Sequence, residues 1–172
     1  MTESPGDVAR TADQVRAYNA DLDQRLLALS HRLDVAMLAD RDDEESWSAA
    51  EVLAHLGEFP RFFADDLRRL LADPAVPVGR TVEHEERLAA VASAKDKGVH
   101  ELIAAMENAF ADLADAVSRL GDDDLQLVTE NRKYGAEPLT AFLARYVLGH
   151  KSGHLDQLGN KTPAGRRASE PR

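Results

Sequence analysis

The chain has 172 residues, a net charge of −10 and no cysteine, enough length for one domain with a substantial core and too little for two. Disulfides, cysteine zinc sites and a thiol nucleophile of its own are excluded, and the acidic balance argues against a nucleic-acid partner, whose affinity rests on Lys and Arg contacts to phosphate. No run of about 18 apolar residues could span a bilayer, and MTESPGDVAR lacks the basic-then-apolar pattern of a signal peptide, so the expected location is the cytoplasm with no membrane partner.

Four amphipathic helical segments and no convincing strand are predicted. The first, residues 11–38, places Val15, Tyr18, Leu22, Leu26, Leu29, Leu33 and Met37 at helical intervals, a stripe for one buried face. Thr11 with Gln14 reads as a capping box at its start. The acidic run RDDEE then forms a solvated connection. The second segment, residues 48–71, opens on SWSAAEVLAHL, with Ser48 as N-cap, Glu51 at the third helical position and Trp47 placed to staple against Val52. Its stripe is Val52, Leu56, Phe59, Phe63, Leu67 and Leu70, with His55 on the same face. Pro60 lacks an N–H and crowds the Leu56 carbonyl, which predicts a kink or bulge just after His55.

Residues 73–95 read as a Pro-containing connection with a short helix, long enough to cross one end of a bundle. The third segment, residues 96–120, carries Val99, Leu102, Ile103, Met106, Phe110, Leu113, Val117 and Leu120 and stops at Gly121, a helix-terminating residue. A loop through ENRKYGAE leads to the fourth, residues 138–159. Pro138 falls in its first turn, and Leu139, Phe142, Leu143, Tyr146, Val147, His150, His154 and Leu158 lie on one side. Residues 161–172 are rich in Pro, Gly and Ser and read as a disordered tail, leaving residues 1–160 as a single domain.

Four one-faced helices with no sheet to cover are satisfied by an all-α four-helix bundle. Of the 6 histidines, His55, His150 and His154 point inward. His31 lies off its stripe, His84 sits in EHEER and His100 is at a stripe edge, positions of solvated or partly buried rings. His150 and His154 are one helical turn apart, with Cβ atoms on the order of 6 Å from each other. That spacing suits one metal ion and, alone, suits two core imidazoles equally. Three converging rings would bury several nitrogens without partners, and a divalent cation satisfies three at once. The arrangement requires the second and last helices to be neighbours. Around these rings Glu51 reads as a cap or base, Glu58, Asp156 and Gln157 as ligand supports or surface, and Tyr146 as a pocket hydroxyl or core ring. Arg145 and Lys151 flank the pair, facing water or reaching an anionic cofactor.

WSAAEVLAHLGEF and, about 90 residues later, GHKSGHLDQL resemble the motifs of the DinB/YfiT-like family of metal-binding four-helix bundles, a likeness that spans residues 11–160. The resemblance implies a crossover connection after the second helix, His55, His150 and His154 as ligands of zinc or nickel, Gln157 at a position often held by glutamine, and a homodimer. It further implies a low-molecular-weight thiol such as bacillithiol, glutathione or mycothiol as cofactor, and a thiol S-transferase or thiol-dependent isomerase acting on a small-molecule substrate. A metal-dependent hydrolase and a non-catalytic metal- or ligand-binding dimer are the alternatives.

Overall fold

Local capping chemistry starts the first two helices where the sequence predicts. The Thr11 hydroxyl accepts the Gln14 N–H at 3.1 Å while Gln14 Oε1 accepts the Thr11 N–H at 3.1 Å, and α1 follows over Ala12–Ser30. Ser48 and Glu51 repeat the exchange at 3.3 and 2.7 Å, and α2 spans Ala49–Leu56. Each box satisfies two N–H groups that a helix start leaves without partners. The computed structural model describes residues 10–39, 41 and 45–161. Residues 42–44 of the acidic run and 162–172 of the expected tail lie outside these.

Several features differ from expectation. Helix α1 ends at Ser30 instead of reaching residue 38, and residues Val35–Met37 form a 3₁₀ turn. The Asp34 carboxylate accepts the Met37 N–H at 3.0 Å, a local bond that competes with helix continuation. The second segment breaks rather than kinks: Gly57 closes α2, and α3 begins anew at Phe59–Ala72. Pro60 sits in the first turn of α3, where its missing N–H leaves no helical bond unmade. The third difference is a hairpin where no strand was expected. Strand β1 (Val128–Asn131) pairs antiparallel with β2 (Gly135–Pro138), Asn131 opposite Gly135. The turn needs the positive φ of Gly135, +74°, and the Asn131 side-chain oxygen accepts the Lys133 and Tyr134 N–H groups at 2.9 and 3.2 Å.

From α3 the chain crosses through residues 73–98, which include the short helix α4 (Glu85–Ser93), to α5 (Val99–Ser118). Within the crossing, the Val78 N–H and C=O bond Glu130 and Arg132 on and beside β1 at 2.9 Å. The last helical run comprises α6 (Leu139–Phe142), π-helical turns over Leu143–Gly149 and α7 (His150–Lys161). Pro138 is its N-cap, one residue before the first turn. Helix α3 packs along α5, α1 along α5 and α7, and α2 against α4, α5 and α7, so α1, the α2–α3 pair, α5 and residues 139–161 form the expected four-helix bundle with a crossover after the second helix. Leu22, Leu26, Leu53, Leu67, Met106 and Phe142 fill its interior. Among the described residues no helix is long and apolar enough to cross a membrane.

One flanking cation is placed otherwise than expected. Lys151 neither faces water nor reaches toward a cofactor: it is fully buried, pairs with Asp23 and donates to Asn19 Oδ1 at 2.8 Å, with its ammonium 4.5 Å from the Phe110 ring centre. Burial works against both charges, raising Asp23 and lowering Lys151, and their mutual attraction offsets that cost. The pair ties α7 to α1. Removing one partner strands a buried charge, so Asp23→Ala is expected to cost about 3–5 kcal/mol in urea unfolding. Combining Asp23→Leu with Lys151→Met should recover most of the loss; failure to recover would show that the pair does more than cancel its own burial.

Candidate metal centre

His55 stands in the last turn of α2, His150 opens α7, and His154 follows one turn later. Because α2 packs on α7, one nitrogen from each ring lies within 4.8 Å of the other two. Nε2 of His55 is 3.1 Å from Nε2 of His150. His55 is 1% and His154 9% exposed, and His150 is half-buried. Phe59 stacks on His150 with 4.1 Å between ring centres. Trp47, expected over Val52, stands edge-on to His55 at 5.1 Å.

Partners behind the rings set their tautomers. Gln157 Oε1 lies 2.9 Å from His154 Nδ1; an amide oxygen accepts, so Nδ1 carries the proton and Nε2 presents a bare lone pair. On His55, Nδ1 faces Glu58 Oε2 at 3.5 Å, and Arg80 holds that carboxylate through two bonds of 2.5 and 2.6 Å. A carboxylate only accepts, so the His55 proton also belongs on Nδ1 and its Nε2 is bare. Buried His55 Nδ1 and His154 Nε2 make no hydrogen bond. A buried imidazole nitrogen without a partner, as at His154 Nε2, is costly, and a cation with nitrogen ligands would satisfy the three rings together. The donor set fits a metal ion, with Gln157 and Glu58 placed to orient two of the rings.

Burial, reinforced by the neighbouring imidazoles, pushes His150 down to about 2 and His154 down to about 4. It also lowers His55, against the pull of Glu58. Burial alone would raise Glu58, but Arg80 and His55 outweigh it and hold the carboxyl at about 2.

A cavity of about 620 Å³ opens onto the triad, and Arg80, Arg87, Lys133 and Arg145 line it alongside Trp47 and Tyr146. Of these cations the sequence reading singled out Arg145. The rest, Arg80, Arg87 and Lys133, arrive from the crossing and the hairpin turn, which carry no motif; their signal was three cations in segments that fold over one end of the bundle. Tyr146 lines the cavity, stacked on Phe63 at 4.7 Å, with its hydroxyl 3.4 Å from Asn131 Nδ2. Glu51 serves as the cap and pairs with Arg41 at 2.8 Å. Asp156 is exposed. The remaining histidines stand apart from the triad: His31 meets Glu107 at 3.4 Å, His100 is exposed, and half-buried His84 packs edge-on to Phe62.

The DinB superfamily model matches residues 19–158. This chain belongs to the DinB superfamily. Its fold is similar to that of YfiT from Bacillus subtilis, described as a probable metal-dependent hydrolase with an unusual four-helix bundle topology: the TM-score is 0.73 at 14% identity, over 93% of this chain and 89% of YfiT. A mycothiol-dependent maleylpyruvate isomerase aligns with a TM-score of 0.65 at 15% identity, over 88% of this chain and 62% of its own. An uncharacterized protein from Clostridium difficile 630 aligns at 0.65 and 10% identity, over 86% of this chain and 93% of that one. No curated protein matches. At such identities the structural likenesses establish the DinB fold and nothing finer.

The depressed imidazoles make metal-free stability pH-dependent. With His154 near 4 in the folded state and about 6.5 in the unfolded chain, the unfolded state binds more protons between those values, so stability present above about pH 6.5 is lost as pH falls toward 4. Denaturant midpoints of chelator-treated protein are expected to decline from pH 6.5 to 5, with a shallower decline in His154→Gln. Parallel slopes would show that the rings are not held neutral by burial.

Proposed function

We propose that this DinB protein is a divalent-metal-dependent enzyme in which His55, His150 and His154 hold the ion and a low-molecular-weight thiol is the co-substrate, the reaction being S-transfer or a thiol-dependent isomerisation. The observation that carries the reading is the placement of three convergent imidazoles at one end of an open cavity whose walls are cationic and aromatic. Three protein ligands leave a coordination position for a small molecule, the pattern of a catalytic rather than a sealed site. An ion held there supplies the charge that brings a coordinating thiol into its thiolate form near neutral pH, chemistry that this cysteine-free chain does not supply itself. The protein's own part is to keep the ligand rings neutral by burial, to fix two of them through Gln157 and Glu58, and to narrow the approach with Trp47, Phe63 and Tyr146. The family resemblance extends the proposal to a homodimer.

A hydrolase is the second reading, supported by the description of YfiT. Metal-assisted hydrolysis wants a base beside the ion. Glu51 is engaged at the helix start and Glu58 is clamped behind His55 by Arg80, which leaves Glu45 as the carboxylate in the cavity lining.

Protein purified without an affinity tag is expected to carry about one divalent ion per chain, lost in His150→Ala. Glu58→Gln should weaken metal affinity about ten- to a hundredfold, the usual cost of removing a ligand's supporting partner. Zinc- or nickel-loaded protein is then expected to conjugate epoxides or haloaromatics to glutathione, bacillithiol or mycothiol. Ester cleavage without any thiol would favour the hydrolase; metal uptake with neither activity would favour a binding protein.

A further inference from the structure

Across the described surface, the arginines of this acidic protein are mostly matched to carboxylates. Arg16 meets Asp13, Arg25 meets Asp21, Arg119 meets Asp115, and Arg68 is shared among Asp65, Asp112 and Asp115. The cavity breaks that pattern. Two of its four cations are matched, Arg80 by Glu58 and Arg145 by Glu137 at 2.8 Å. Arg87 and Lys133 form no ion pair among the described residues. Arg87 donates to the Val82 carbonyl at 2.6 Å and spreads its guanidinium 4.8 Å from the Trp47 ring centre. The Lys133 ammonium lies 5.2 Å from the Tyr134 ring centre. Burial and the nearby Arg80 charge lower Arg87, against the pull of Glu58 and Glu83. Glu83 lies close enough to feel both cations but is fully exposed and pairs with neither. Glu45 is the acidic group in the lining.

The geometry points to a carboxylate-binding subsite formed by Arg87 and Lys133, which selects a small organic acid with its anionic end on these two cations and its other end toward the histidine triad. The two cations come from different elements, α4 and the hairpin turn, and both line the cavity that opens onto the triad. A guanidinium spread on an aromatic ring keeps its N–H edge available for a carboxylate. The cavity volume, about 620 Å³, is in the range that encloses a molecule of tripeptide or smaller size. The subsite rests on the proposed metal reading for which end of the ligand reacts, while the anion contact itself requires no metal.

Trp47 is the only tryptophan in the chain and touches Arg87, so its fluorescence reports on this corner of the cavity. Metal-free full-length protein titrated with succinate is expected to give a saturable change, absent with the neutral succinamide. In Arg87→Gln and in Lys133→Gln the succinate Kd should rise about tenfold, the loss of one charge-assisted contact. No saturable response, an equal response to succinamide, unchanged affinity in both variants, or tighter binding of inorganic phosphate than of succinate would each overturn the subsite. Glutathione separates the two sources of the carboxylate: competition with succinate places the acid on the thiol, and simultaneous binding places it on the second substrate. Metal content measured on the same samples keeps the two ideas apart. Succinate binding without metal uptake would sink the enzyme reading alone, and metal uptake without succinate binding would sink the subsite alone.

Discussion

Three imidazoles lie within reach of one another in a largely buried site, where a ring nitrogen left without a partner is costly, and much of the molecule's organisation can be traced to holding that arrangement. His55 and His150 approach to 3.1 Å only because α2 lies against α7. Helix α7 is in turn anchored to α1 through Lys151 and Asp23. Phe59, the first residue of α3, seals the site from the side by stacking on His150. The break between α2 and α3 therefore does two jobs: it ends the helix bearing His55 and turns the next one so that its first ring covers His150.

The long-helix features were legible because they repeat. Stripes at 3- and 4-residue intervals and two capping boxes carry redundant local information, and the inward histidines were visible as breaks in those stripes. What was not legible depends on single contacts between distant residues. A four-residue strand has too few positions for an alternating pattern, so the hairpin is declared only by Gly135 and the Asn131 side chain. Leu33 remained in the core although α1 ends before it, which is why the stripe overran the helix. The burial of Lys151 depends on Asp23 and Asn19, about 130 positions earlier, and a lone lysine on a helix gives no hint of that partnership. The cationic cavity wall escaped for the same reason, being assembled from a crossing segment and a turn.

The contrast between the wall and the rest of the surface shapes how ligands arrive. A protein of net charge −10 repels small anions at long range, whereas a local gathering of cations around a partly enclosed volume focuses an attractive field at its mouth. Arg80 contributes on both fronts. It faces the cavity, and through Glu58 it settles which nitrogen of His55 is protonated. The charge of the cavity wall and the orientation of a ring are thereby linked through one guanidinium.

The π-helical turns over Leu143–Gly149 bear on how the histidine pair came to face inward. There the His150 N–H bonds the Arg145 carbonyl, five residues back rather than four. In an ordinary α-helix, Phe142 and His150 would be rotated about 80° apart around the axis; a wide turn absorbs one residue and brings them to within roughly 20°. The segment thus behaves like a regular helix with an insertion of one residue taken up in the wide turn. Relatives lacking that insertion would show the same two histidines displaced by one position against Phe142, and an alignment forced to run gap-free through this stretch would pair the wrong side chains.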